Sequence, residues 1–197
     1  MSYFLIDTLG DLDDPEWCVL DDVPVGIGVA YSRLVKGRAV GSDYPADAEI
    51  HMSPGEEGIK VGGLIGSTKS FLIVRRDVKE VIEAACEGAE VEYLPFRLID
   101  HKGRIHSSDY FIINPIGSWN CLDPEASAIT YFEDTDKVLR IDRMVIDSAL
   151  AEPAPMLFRL KQAPTKYVVK QELADRLREK AFENLLLIEM EQVAERE

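Results

Sequence analysis

Residues 70–115 read SFLIVRRDVKEVIEAACEGAEVEYLPFRLIDHKGRIHSSDYFIINP, and their patterning decides the fold class. Phe71-Leu72-Ile73-Val74 is a short apolar run of strand type. Asp77 followed three residues later by Glu80 predicts a capping box, in which each side chain satisfies a free backbone donor of a new helix. The helix face is Val78, Val81, Ile82 and Ala85, with Cys86 on the same side, and Gly88 supplies a left-handed stop. Residues 91–99 and 104–114 then flank the turn Asp100-His101-Lys102-Gly103, which predicts an antiparallel hairpin. Pro95 confines its first strand to an edge or a bulge.

Working outward, residues 118–122, 138–146, 156–160 and 167–169 read as further short strands. Asp123-Pro124-Glu125 resembles a helix start, with Asp as cap and Pro in the first turn. Leu173, Leu177 and Ala181 mark a second amphipathic helix, and residues 185–188 a last strand before a polar tail. Upstream, residues 1–60 are the least periodic part and read as short strands joined by loops. Most strand neighbours are joined by turns too short for a crossover helix. The expected class is therefore α+β, a mostly antiparallel sheet with a few helices packed on it. The expected organisation is an acidic, loop-rich part over residues 1–69 and an α+β domain over residues 70–197.

The chain has 197 residues, with 22 Lys and Arg against 36 Asp and Glu, a formal charge of −14. That balance argues against a protein that holds nucleic acid through phosphate contacts, each of which needs a cation, and against adsorption to anionic lipid. The longest weakly polar stretch, residues 23–31, is broken by Pro24 and two glycines, so no membrane span is expected, and the N-terminus lacks the basic start of a secretory signal. Cys18, Cys86 and Cys121 cannot all pair and show no C-x-x-C spacing, which points to a reducing cytoplasm. Charge is uneven: residues 1–60 hold 4 basic and 12 acidic side chains, so the first third carries more than half of the excess.

Chemistry-bearing patterns are sparse. Residues 62–70, Gly-Gly-Leu-Ile-Gly-Ser-Thr-Lys-Ser, end like a phosphate loop. However, Thr68 stands where the glycine before the lysine belongs, and the apolar strand follows the loop instead of leading into it. His106 and Ser108 could project from one face of the hairpin with Asp109 on the other, which is no triad. Glu133-Asp134-Thr135-Asp136 spaces its oxygens like part of a calcium loop but lacks the glycine and the closing Glu, so a solvated turn is expected. Trp17 and Trp119 are expected as packing residues. No catalytic, metal or cofactor site is expected.

Several stretches resemble a family of bacterial immunity proteins from polymorphic toxin systems, the eleventh numbered immunity family. They are residues 92–100 (EYLPFRLID) with Gly103, 110–114 (YFIIN), 121–127 (CLDPEAS), 141–147 (IDRMVID) and 157–160 (LFRL). The resemblance covers roughly residues 70–197. It implies a non-enzymatic inhibitor that binds a cognate toxin domain and needs no cofactor; separately, the exposed hairpin edge could pair with a second copy to give a homo-oligomer. No interface residue carries over from the family's motifs, which are packing patterns. Many such toxins attack nucleic acid and are cationic around their active sites, so an acidic surface would be drawn to them and could cover the phosphate groove. The candidate toxin-binding residues are accordingly Asp11, Asp13, Asp14, Asp21 and Asp22, for which the alternative is a solvated acidic face. A small cytoplasmic enzyme and a self-associating structural module remain the competing classes.

Overall fold

A computed structural model describes residues 1–193. In chain order its elements are β1 (Tyr3–Ile6), β2 (Val19–Leu20), α1 (Tyr31–Val35), β3 (Glu49–His51), β4 (Leu64–Ser67), β5 (Leu72–Arg75), α2 (Arg76–Ala85), β6 (Val91–Ile99) and β7 (Ile105–Pro115). Then follow β8 (Ala128–Tyr131), β9 (Val138–Arg143), β10 (Val145–Asp147), α3 (Ser148–Ala151), β11 (Leu157–Arg159), β12 (Tyr167–Lys170), α4 (Gln171–Glu179), β13 (Leu187–Glu189) and β14 (Glu191–Val193).

Two sheets carry the molecule. The larger has the order β2-β4-β5-β7-β6-β3 and the smaller β11-β12-β1-β13, while β8-β9 and β10-β14 form two-stranded ribbons. Pairing is mostly antiparallel, and the fold is α+β, as the short connections imply. Strands from residues 1–69 lie in both sheets: β4 pairs with β5 through Leu64–Val74 and Ile65–Ile73, and β1 pairs with β12 from Tyr3–Lys170 to Ile6–Tyr167.

Alternation of side chains along each strand builds three contiguous cores. On the larger sheet, Ile65, Ile73, Leu94, Phe96, Leu98, Tyr110 and Ile112 share a core with Leu20 of β2 and Ile50 of β3, and Ile27, Leu34 and Val40 from the first third pack against them. Leu64, Leu72, Val74, Phe111 and Ile113 face the other way and meet Val78 and Ile82 of α2, Leu173 and Leu177 of α4, and Phe4, Ile6 and Val169 of the smaller sheet. The outer face of the smaller sheet, with Tyr3, Phe158 and Val168, is covered by Cys121, Leu122, Ile146 and Ala151.

The strand and helix of residues 70–86 form as the periodicity predicts, with Cys86 buried in the core below α2. The capping box does not form. β5 runs straight into α2, which begins at Arg76, so Asp77 already lies in the first turn; its carboxylate takes the Arg75 guanidinium at 2.7 Å and the Val78 N–H at 2.9 Å. That guanidinium holds the Asp77 carboxyl below its usual range. The antiparallel hairpin forms about the expected turn, and β3 pairs only with Arg97–Ile99, so Pro95 lies where β6 is a sheet edge, close to a register shift between Phe96 and Leu98. Residues 118–122 make isolated bridges instead of a strand, and Asp123-Pro124-Glu125 opens a single turn instead of a helix, with Asp123 Oδ1 accepting from the N–H groups of Glu125 and Ala126. Four elements lie outside the sequence expectations: the short helices α1 and α3, the strand β8, which pairs with β9, and the final strand β14, which pairs in parallel with β10. Part of the expected polar tail, residues 194–197, lies outside the described residues.

The glycines of the loop at 62–70 have a packing role. A Cβ at Gly62 would lie 2.8 Å from the Glu183 carbonyl oxygen, at Gly63 2.8 Å from the Phe182 Cβ, and at Gly66 2.5 Å from the Leu9 carbonyl oxygen. The chain after α4 thus crosses β4 in backbone contact, anchored by Asn184, whose side chain donates to the Leu64 carbonyl at 3.1 Å and accepts from the Asp11 N–H at 2.6 Å.

Arg159 joins the two sheets. It is 1% exposed, and no carboxylate among the described residues forms an ion pair with it. Its guanidinium donates to the Pro115 and Pro164 carbonyls (3.2 and 2.5 Å), to Asn114 Oδ1 (3.0 Å) and to the Tyr167 hydroxyl (2.8 Å). Asn114 in turn donates to Glu92 at 2.8 Å, and the Tyr167 hydroxyl donates to the Ser70 carbonyl and accepts from the Leu72 N–H. Burial pushes the Tyr167 hydroxyl above its ordinary pKa, which keeps it neutral and able to donate.

Arg159→Ala strands several buried acceptors and opens a cavity, and should cost about 3–5 kcal/mol in urea unfolding; a loss below about 1 kcal/mol would show that the network is not a joint. At the hairpin tip, Asp100 accepts from the Lys102 and Arg104 N–H groups and pairs with the Arg104 guanidinium at 2.8 Å, which lowers its pKa to about 2. A depressed carboxyl contributes stability above its ordinary value of 3.8 and loses it as pH falls towards about 2. Asp100→Asn should therefore be less stable than the parent at pH 7 and converge on it near pH 2, and a carboxyl titration midpoint of Asp100 near 4 would contradict the assignment.

Candidate functional site

The first third of the chain meets the hairpin tip in a cleft of ≈ 590 Å³. β3 lies parallel to β6, with His51 opposite Ile99 and the Met52 N–H bonded to the Ile99 carbonyl at 2.8 Å, which sets residues 52–57 beside the turn at Asp100. The chain leaving β2 runs from one edge of the larger sheet to the other, where the Val25 N–H donates to the Glu49 carbonyl at 2.8 Å. Asp21 and Asp22 thereby reach the same cleft as Glu56, Glu57 and Asp100, with His51 and His101 on its walls.

The charges in this cleft are largely uncompensated. Asp21, Asp22, Glu56 and Glu57 have no Lys or Arg within ion-pair distance among the described residues, whereas Asp100 is held by Arg104. His51 approaches Glu49 at 3.9 Å and becomes its ion-pair partner only when protonated. The cleft can attract and hold cationic groups at several points at once.

The five candidate aspartates divide into two places. Asp21 and Asp22 line the cleft; Asp11, Asp13 and Asp14 lie in the loop between β1 and β2 and are tied into local structure. Asp11 Oδ1 accepts from the Asp13 N–H at 3.0 Å, and Asp14 accepts from the Glu16 N–H at 3.0 Å and from Lys60 Nζ at 2.8 Å. The Lys60 hydrogen bond lowers the Asp14 pKa, and the same ammonium sits 3.9 Å above the Trp17 ring. Asp14 thus offers a partner little free charge, while Asp13 remains exposed. Glu56, Glu57 and Asp100 complete the cleft and were not distinguished by the sequence. The first two fall in a turn-rich run, the third serves as the turn residue of a hairpin, and only the parallel β3–β6 pairing brings them together.

Reactive groups elsewhere are quenched or scattered. Cys18, Cys86 and Cys121 are free, buried thiols whose pKa values burial raises to about 12, 11 and 11, so none is a thiolate at neutral pH. His106 and Ser108 are exposed on the hairpin, while Asp109 turns to Arg76 at 2.6 Å. Residues 133–136 form the connection between β8 and β9, with the Thr135 N–H bonded to the Phe132 carbonyl. Trp17 and Trp119 are both half-buried. Among the described residues no group of three His, Cys, Asp or Glu side chains is arranged to hold a metal ion, and no helix is long and apolar enough to cross a membrane.

No curated protein matches the chain. A family model, described as Immunity protein family (Imm11), matches residues 13–192 and so takes in most of the first third, including the cleft, as well as the stretches quoted above. With nearly the whole chain matched, this protein belongs to the Imm11 immunity protein family.

Proposed function

We propose that this immunity protein neutralises a cognate toxin domain in the producing cell's cytoplasm by binding it one to one, its acidic cleft seated on the toxin's cationic active-site surface. The observation that carries the reading is the convergence of Asp21, Asp22, Glu56 and Glu57, without cationic partners, on one cleft beside a hairpin. A nuclease is the toxin class this charge fits best, because a groove that grips phosphates must present Lys and Arg, and carboxylates can occupy the same donors. Inhibition then needs no turnover and no cofactor, only a complementary surface that excludes the substrate. The three buried thiols, raised in pKa by burial, are not poised as nucleophiles. Asp11, Asp13 and Asp14 form a second, separate acidic loop, with Asp13 its most exposed carboxylate.

Co-expression with the toxin encoded beside this protein should rescue growth and yield a stable equimolar complex; absence of both would overturn the reading. Reversing Asp21, Asp22, Glu56 and Glu57 together to Lys should slow association at low salt by at least about tenfold and flatten its dependence on ionic strength. The same reversal of Asp11, Asp13 and Asp14 should have a smaller effect. Unchanged association rates in a correctly folded quadruple variant would remove the cleft from the interface.

A further inference from the structure

The molecule also has a cationic hollow. A cleft of ≈ 680 Å³, within the roughly 300–1,000 Å³ of small-molecule sites, opens between the β8–β9 ribbon, the segment after β11 and the residue following α1. Lys36, Lys137 and Lys161 come to it from three separate parts of the chain, and none of them has a carboxylate within ion-pair distance among the described residues. Asp136 is the sole carboxylate on its wall. On a chain of net charge −14, three ammonium groups without ion-pair partners at one hollow run against the overall balance.

One feature separates a nucleoside phosphate from a bare anion. Tyr131, 44% exposed, contributes an aromatic wall continued by Val138 and Pro164, a face on which a base can stack. We propose that this cleft binds a nucleoside phosphate, the three lysines meeting the phosphate oxygens and Tyr131 stacking on the base. A longer nucleic acid strand is disfavoured by the chain's net charge of −14. This site shares no lining residue with the acidic cleft and does not depend on the toxin reading.

Titration calorimetry of the full chain at low ionic strength with ADP, inorganic pyrophosphate and adenosine tests the site. ADP should bind with sub-millimolar affinity, pyrophosphate more weakly and adenosine not measurably. Lys137→Ala with Lys161→Ala should weaken ADP at least about tenfold without changing Tm, since both side chains are exposed. Tyr131→Ala should weaken ADP while leaving pyrophosphate unaffected. Absence of ADP binding at millimolar concentration, or an affinity unmoved by the double lysine variant, overturns the site. Equal affinity for ADP and pyrophosphate, insensitive to Tyr131→Ala, overturns the nucleoside assignment.

Discussion

The guanidinium of Arg159 is the point on which the two sheets depend. Taking a charge out of water costs several kcal/mol unless hydrogen bonds replace its hydration, and here four of the five N–H groups are taken by two backbone carbonyls, an asparagine and a tyrosine instead of by a carboxylate. Those acceptors belong to different elements: the end of β7, the loop before β12, and β12 itself. A negative charge, Glu92, acts one residue removed, through Asn114, while also accepting from the N–H groups of Val40 and Gly41. A lysine could not replace it, because a single ammonium cannot reach acceptors spread around a planar fork. Close packing follows: a Cβ on Gly37 would lie 2.7 Å from the Arg159 Cδ, and that glycine's positive φ of 61° is one a larger residue adopts at a cost.

This joint explains how a chain with little helix holds two sheets at a fixed distance. α2 and α4 each follow directly from a strand, β5 and β12, and each presents Val or Leu at helical spacing to the shared core. The Tyr167 hydroxyl, bonded to both Ser70 and Leu72, ties the starts of these two strand–helix units together. The hydrophobic face of each helix supplies area, and the polar bolt supplies registry, since apolar packing alone tolerates sliding that a fork of directed hydrogen bonds does not.

Local signals were legible and distant ones were not. The hairpin of β6 and β7, the β5–α2 unit and α4 follow from periodicity and turn residues over fewer than 30 residues each. The pairing of β1 with β12 spans the chain, and nothing in Tyr3-Phe4-Leu5-Ile6 says that its partner lies near residue 168. The LFRL stretch at 157–160 stood out as part of a family pattern, yet no linear feature marks Arg159 as buried, because arginine in a strand is ordinarily an exposed residue. α4 stops at Glu179, short of Ala181, whose φ of 48° is left-handed and turns the chain back across β4. The acidic cleft was half legible: Asp21 and Asp22 stand out as a charge pair, whereas Glu56, Glu57 and Asp100 join them only through the β3–β6 register.

The division of labour among charged side chains follows the same physics. Nine arginines with described side chains form ion pairs, from Arg33 with Asp43 to Arg178 with Asp175, so most guanidinium charge is cancelled within a few ångströms. A paired charge contributes little at the distance of an approaching molecule, where its field and its partner's nearly cancel and salt screens the remainder within about 10 Å. The long-range potential is therefore set by the groups left over. Among them are the cleft carboxylates Asp21, Asp22, Glu56 and Glu57, and the lysines Lys36, Lys137 and Lys161. A sequence total of −14 counts all of these alike. Folding sorts them, cancelling arginine against carboxylate along strands and helices and leaving two oppositely charged hollows, each suited to a partner of the other sign.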